Sequence, residues 1–152
     1  MVAGSMNETI QQLRIEKEIY IAAPIDIAFE ATLEELGPDN SLPDGTPMPL
    51  VLEAWPGGRW FRDLGDNSGH FWGHVQVIKP SKLLEICGPL FMSYPCANHI
   101  QYRFAIEGIG TKLTFLHRGF AEIPDDHRQQ IGVGWNYIIE QIKSNAESRH
   151  AS

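Results

Sequence analysis

His117 and Tyr102 are the side chains of this sequence best suited to proton transfer. Each lies in a segment that alternates apolar and polar residues, and each shares the phase of its apolar neighbours. A histidine changes charge near neutral pH and can serve as a general acid or base. A buried histidine that only hydrogen-bonds to a neighbouring strand is the commoner arrangement. On these residues alone we predict no catalytic side chain.

His70 and His74 raise the question of a metal site. Four residues along a strand span roughly 13 Å, too far for one ion with bonds of about 2.1 Å to bridge. We expect both rings to point to the outer face of a sheet, opposite Phe71 and Val75. The sequence therefore predicts no metal and no other cofactor.

The chain has 2 cysteines, Cys87 and Cys96, and they do not form a CxxC pair. Both stand among apolar residues. A disulfide between them is geometrically possible, but we expect two free thiols, as in a protein of the cytoplasm.

Arg62 is a candidate anion-binding residue. If Trp60 faces inward, alternation points Arg62 inward too, where a guanidinium could bind a ligand carboxylate or phosphate with two hydrogen bonds. Pairing with Glu53 on an adjacent strand is the alternative, and we favour it.

The first elements that must position these residues are a strand and a short helix. Leu13, Ile15, Ile19 and Ile21 recur at the spacing of a half-buried strand. A helix is predicted from Ile25 to Leu36, since Pro24 suits a helix start and Gly37-Pro38 ends it. The loop Gly37–Pro49 is long and rich in proline, and we predict that it is a mobile rim over a cavity.

Six further strands are predicted, followed by a long helix. Turn residues separate the strands, and short links imply an antiparallel meander. In the helix, Ile131, Trp135, Ile138 and Ile142 form an apolar stripe. Gly132 and Gly134 interrupt it, which indicates either close approach by a neighbour or ligand, or an irregular first turn. The predicted strands are Leu50–Trp55, Arg59–Leu64, His70–Ile78, Leu83–Cys87, His99–Glu107 and Lys112–Arg118.

These elements predict one α+β domain over residues 13–145, with flexible termini at 1–12 and 146–152. Residues 1–5 could be a non-native extension before a start at Met6. The net charge of −7 argues against nucleic acid as a partner. No apolar run reaches the ~20 residues of a membrane span, and no secretion signal is evident. We expect a cytoplasmic protein, either monomer or homodimer.

A seven-stranded antiparallel sheet curved around one helix would present an apolar inner face. We expect this face to line a cavity for a small hydrophobic ligand, with Tyr102 and His117 as polar groups. The alternative is that the same aromatic residues pack together and leave no cavity. The predicted lining consists of Trp60, Arg62, Phe71, Gly73, Val75, Leu84, Ile86, Ile100, Tyr102, Phe104, Leu113, Phe115, His117 and Trp135.

Five segments, in order, resemble the START-like SRPBCC superfamily: "IYIAAPIDIAF", "PGGRW", "GHVQVIKPSKLLEI", "GTKLTFLHRGF" and "GW" in the last helix. Within it the chain resembles the bacterial branch named after the activator of the 90-kDa heat-shock-protein ATPase. The resemblance runs from about Ile15 to Ile142. It implies the helix-grip (START/Bet v-like) fold, in which a sheet and a long C-terminal helix enclose a cavity. Trp60, Gly73, His117 and Trp135 match cavity-side or structural positions of the family pattern.

The resemblance implies three functions, which we rank. The first is a carrier or sensor that binds a lipid, polyketide or aromatic metabolite. The second is a cyclase or hydrolase that uses His117 and Tyr102. The third is a stress protein that acts on a heat-shock chaperone, and the absence of any additional domain counts against it.

Overall fold

The computed structural model describes residues 9–151. The possible extension at residues 1–5 and most of the predicted flexible N-terminus therefore lie outside the described residues. The elements are β1 (Gln11–Ile21), α1 (Ile25–Leu36), β2 (Val51–Leu52), β3 (Arg59–Gly65), β4 (Ser68–Lys79), β5 (Leu83–Gly88), β6 (Cys96–Glu107), β7 (Gly110–Ala121) and α2 (Asp125–Ala151).

The strands form one antiparallel sheet in the order β1-β7-β6-β5-β4-β3-β2. The first strand pairs with the last along its whole length, from Gln11 opposite Ala121 to Ile21 opposite Thr111. Among the strands of residues 9–151, this pairing alone joins strands distant in sequence, since the others follow the meander. The predicted α+β architecture, with its short helix after the first strand, is confirmed.

The second strand is shorter than predicted. It covers only Val51–Leu52, not Leu50–Trp55. The backbone N–H of Arg59 bonds to Glu53 Oε1, and a turn closes from Gly58 N–H to the Trp55 carbonyl. These bonds replace the ladder that a longer strand would have made.

The last helix is longer than predicted. Residues after Asn145 are not an irregular tail, because α2 continues to Ala151 and Ala146 is fully buried. Lys143 donates to the Tyr20 carbonyl, and Glu147 accepts from the backbone N–H of Ala22. The prediction of a flexible end from residue 146 is therefore wrong for residues 146–151.

A β-bulge in the β3–β4 pair changes which side chains face the core. Trp60 pairs with Gly73 and Phe61 pairs with Phe71, so Trp72 has no partner across the ladder. Trp72 and Gly73 are consecutive and both buried, whereas Phe71 is 41 % exposed and stacks beside His74 on the outer face. The predicted inward orientation of Phe71 is wrong for this reason.

The centre of the sheet packs tightly against α2. The ring centroids of Phe115 and Trp135 lie 4.7 Å apart, and those of Tyr102 and Phe115 lie 5.0 Å apart. A Cβ on Gly73 would lie 2.6 Å from the Cys87 carbonyl oxygen, so this glycine permits close packing and leaves no free space. The predicted hollow is therefore not at the centre of the inner face.

Candidate ligand-binding cavity

A cavity of about 490 Å³ lies at one end of the inner face. Four parts of the chain meet there: the loop after α1, the β3–β4 pair, the connection between β5 and β6, and the first half of α2. The lining residues are Asn40, Ser41, Leu42, Pro43, Met48, Arg62, His70, Trp72, Phe91, His127, Gln130, Ile131, Val133, Gly134, Trp135, Tyr137 and Ile138.

Three aromatic rings form the apolar wall of the cavity. Phe91 lies edge-on between Trp72 and Trp135, at centroid distances of 5.8 and 5.9 Å. Phe91 reaches this place because Leu90 adopts a positive φ of 58°. The Leu90 N–H donates a hydrogen bond to the Trp72 carbonyl at 2.8 Å. Such edge-on packing favours flat or aliphatic ligands over strongly polar ones.

Two buried polar atoms at the cavity lack a hydrogen-bond partner within residues 9–151. They are the indole N–H of Trp72, a residue 5 % exposed, and Oδ1 of Asn40, a residue 2 % exposed. By contrast, the neighbouring Trp60 donates its indole N–H to the Leu36 carbonyl at 2.7 Å. Neither atom is accessible to solvent, so both lie behind the surface of the cavity and are unpaired in the same way as the hydroxyl of Tyr102 in the packed centre.

Arg62 does not pair with Glu53, and our favoured alternative is wrong. Glu53 instead accepts hydrogen bonds from Nε and Nη2 of Arg59, at 2.9 and 3.0 Å. These hydrogen bonds lower the pKa of Glu53 to about 2. Within the described part of the chain, Arg62 has no carboxylate at ion-pair distance. It borders the cavity with its charge unneutralised.

Polar contacts at the cavity rim connect α2 to the two loops. Ser41 and Tyr137 share a hydrogen bond between hydroxyl oxygens 2.7 Å apart, and Tyr94 Oη lies 2.5 Å from His127 Nδ1. Ser41 also forms an isolated bridge with Pro47, which closes the loop on itself. The predicted rim is therefore present at residues 37–50, and its mobility remains a prediction.

His117 lies behind the cavity wall. Its Nδ1 accepts the indole N–H of Trp135 at 2.9 Å, and its Nε2 lies 2.8 Å from Asn98 Oδ1. Burial lowers the pKa of His117 to about 4, so the ring is neutral at physiological pH. Neither nitrogen is available to a substrate.

The structure separates the predicted site residues into three groups. Arg62 and Trp135 line the cavity, and Phe71 lies on the outer face. The rest belong to the packed centre, and their contact with a ligand remains a prediction. This third group comprises Trp60, Gly73, Val75, Leu84, Ile86, Ile100, Tyr102, Phe104, Leu113, Phe115 and His117.

The histidines and cysteines differ partly from expectation. His74 does face outward, but His70 lines the cavity because the bulge reverses the phase between them. Across residues 9–151, no group of three or more His, Cys, Asp or Glu side chains is arranged to hold a metal ion. Cys87 and Cys96 are free thiols, as predicted.

Sequence reasoning missed most of the lining. Trp72 was out of phase with the assumed alternation, and Phe91 sits in a connection with no periodic pattern. His127 lies seven residues before Gly134 and Tyr137 lies three residues after it, so the face of α2 adjoining its apolar stripe could have indicated them.

Comparisons with known proteins identify the fold of this chain. No protein-family model matches the chain, and no curated protein matches it in sequence. An uncharacterized protein from Rhizobium leguminosarum matches in structure with a TM-score of 0.71 and 18% identity, over 94% of this chain and 99% of that one. Ara h 8.0201 matches with a TM-score of 0.63 and 16% identity, over 91% and 99%.

A third similar structure is the di-domain ARO/CYC protein StfQ from the steffimycin biosynthetic pathway. Its TM-score is 0.62 at 14% identity, over 93% of this chain and 52% of StfQ. Together these matches show that the chain has the helix-grip fold of START-like and Bet v-like proteins. Among the described residues, no helix is long and apolar enough to cross a membrane.

Proposed function

We propose that this protein binds a small, largely apolar molecule in the cavity beside α2 and acts as a carrier or sensor. The observation that carries the proposal is a cavity of about 490 Å³ whose apolar wall is formed by Trp72, Phe91 and Trp135.

The size of the cavity supports a ligand of metabolite dimensions. Its 490 Å³ falls within the range of about 300–1,000 Å³ typical of small-molecule sites. Gly134 adds to the available space, since a Cβ at this position would meet nothing within 4 Å. The predicted close approach of a protein neighbour at Gly134 is therefore not observed, and the space beside this glycine is open to a ligand.

The enzymatic alternative has no support in the contacts of its predicted residues. Both ring nitrogens of His117 are engaged, and the Tyr102 hydroxyl is buried with no partner inside residues 9–151. Burial also raises the pKa of Tyr102. In the sheet register His117 stands opposite Ile100 and Tyr102 opposite Phe115, so the two are not a cross-strand pair.

Three finer predictions stay as predictions from the sequence. They are the relation to the heat-shock ATPase activator branch, a chaperone partner and a cytoplasmic location. No contact described above favours the chaperone role over ligand binding, so we do not extend the proposal to it.

The test is ligand retention and stabilisation. Native mass spectrometry of the protein from its own host should reveal a retained small molecule. A thermal-shift screen with fatty acids, flavonoids and polyketides should give saturable increases in Tm. Gly134→Leu, which fills the cavity, should abolish the shift, and Gly132→Leu on the same helix should preserve it.

The two glycines form a matched pair, because a Cβ at either position meets nothing within 4 Å and only Gly134 lines the cavity. The proposal is overturned if no compound stabilises the wild-type protein and no molecule is retained. Equal loss of the shift in both leucine variants would also contradict the assignment of the binding site to this cavity.

A further inference from the structure

The cavity differs in charge from the rest of the molecule. The chain has 19 Asp and Glu residues against 12 Lys and Arg residues, for a net charge of −7. Among the described residues that line the cavity, none is Asp or Glu, and the one permanently charged side chain is Arg62. The described lining of the cavity therefore carries a cationic side chain and no acidic one, although the protein as a whole is acidic.

Arg62 and His70 are directly opposite each other in the β3–β4 register. Opposed residues of an antiparallel pair project from the same face, with Cβ atoms about 4.5–5.5 Å apart. Both side chains line the cavity. Two nitrogen-bearing groups are therefore placed side by side at one end of it.

The neighbouring arginine shows why Arg62 is free. Arg59 lies three positions earlier in β3 and forms an ion pair with Glu53 that consists of two hydrogen bonds. Glu53, the carboxylate that the sequence suggested as a partner for Arg62, is therefore already paired with Arg59. Arg62 is a partly buried residue without a carboxylate partner among the described residues, so its guanidinium is free to bind an anion from outside the chain.

From this arrangement we propose that the ligand is an amphipathic carboxylate, with its carboxylate bound by Arg62 beside His70. Its apolar body lies along Trp72, Phe91 and Trp135. The inference rests on the proposed function and specifies the class of ligand. A guanidinium matches the planar carboxylate with two parallel hydrogen bonds, and one unneutralised positive charge balances one negative charge.

The test compares each acid with its own methyl ester. Isothermal titration with dodecanoate and methyl dodecanoate, and with 2-naphthoate and its methyl ester, holds the apolar body constant while it removes the charge. The wild-type protein should bind the better acid about tenfold or more tightly than its ester, as expected for charge-assisted hydrogen bonds. Arg62→Gln should bring the ratio of acid affinity to ester affinity close to one, and Arg62→Lys should retain part of the preference.

Arg59→Gln is the matched control, since it removes a charge from the same strand at a residue outside the cavity lining. It should keep the acid preference, and both glutamine variants should melt close to the wild type. Equal binding of acid and ester by the wild type would overturn the carboxylate inference while the proposed function stands. Binding of neither compound in both pairs would count against the proposed function itself.

Tighter binding of dodecyl phosphate than of dodecanoate would overturn the choice of carboxylate over phosphate. An unchanged acid preference in Arg62→Gln would overturn the assignment of the anion to Arg62.

Discussion

The indole Nε1 of Trp135 donates a hydrogen bond to Nδ1 of His117 over 2.9 Å. Because Nδ1 accepts this bond, the ring proton resides on Nε2, which donates to Asn98 Oδ1 at 2.8 Å. The contact joins a cavity-lining residue of α2 to the middle of β7 and then to β6. It holds His117 as a neutral structural group.

The neutral His117 should make the protein less stable in mild acid. Its pKa is lowered by burial from 6.5 to about 4, so below pH 6.5 the unfolded chain takes up a proton that the folded protein does not. The free energy of unfolding should therefore fall as the pH drops from 6.5 towards 4, by about 3 kcal/mol in total. Urea unfolding at a series of pH values measures this.

His117→Gln provides the control, because an amide can accept from Trp135 and donate to Asn98 without titrating. The variant should lose most of the pH dependence between 6.5 and 4.5. The lowered pKa values of Glu53 and Glu147 affect stability only below their ordinary value of 4.5. A wild-type profile that is flat across the higher window would contradict the neutral, buried assignment.

Trp60 and Trp72, which pack edge to face, should respond differently to the same substitution. The ring centroids of Trp60 and Trp72 are 4.9 Å apart, and both residues are buried. Among the described residues, only the Trp60 indole N–H has an acceptor, the Leu36 carbonyl at the end of α1. Trp60→Phe should therefore cost about 1–2 kcal/mol more than Trp72→Phe, since it leaves that carbonyl without a partner. Chemical denaturation of both variants measures the difference.

Ligand binding should show the opposite order. Trp72→Phe removes part of the aromatic wall of the cavity and should weaken binding of the compounds found in the screen, whereas Trp60→Phe should leave the affinity close to that of the wild type. If the two variants lose equal stability and equal affinity, the distinction between the bonded and the unpartnered N–H is wrong.

Alanine at either helix glycine should stabilise the protein. A methyl group added at Gly132 or Gly134 would have no neighbour within 4 Å, and both residues lie inside α2. Each Gly→Ala change should add about 1 kcal/mol, which corresponds to roughly 2–4 °C in Tm. Calorimetry of the single variants tests this, and a fall in Tm for either one would show that the glycine is required by the backbone.

The hydrogen bond between Ser41 and Tyr137 should control the rim of the cavity. Tyr137→Phe removes one hydroxyl of the 2.7 Å pair and leaves the ring in place. We expect faster hydrogen exchange in residues 37–50 and faster ligand dissociation. Amides of the β1–β7 pair serve as the internal reference, and equal acceleration there would indicate general destabilisation instead.

Most of the fold could be predicted because the strands are regular. Alternation in β1, β6 and β7 set the correct inner face, and the stripe on α2 placed Ile131, Trp135 and Ile142 in the core. The end of α2 was missed because its contacts are polar. Asn145 bonds to Glu35 and Arg149 pairs with Glu34, both on α1, and such long-range polar contacts leave no periodic apolar signal.

The cavity could not be located from the pattern alone. Periodicity tells which face of a strand or helix a residue lies on, but not how close the sheet and the helix come at that point. The residues of the packed centre and those of the cavity therefore have the same sequence pattern. The bulge at Trp72 and Gly73 adds one residue without any Pro or turn motif to mark it. Phe91 depends on the positive φ of Leu90, which nothing in its residue type indicates.

The two halves of α2 have separate tasks. From His127 to Ile138 the helix lines the cavity, and from Lys143 to Arg149 it is fastened to β1, its following turn and α1. Substitutions in the first half can therefore reshape what the protein recognises while the second half keeps the helix in place. Related chains could diverge in ligand choice by changing these few positions, without rebuilding the scaffold.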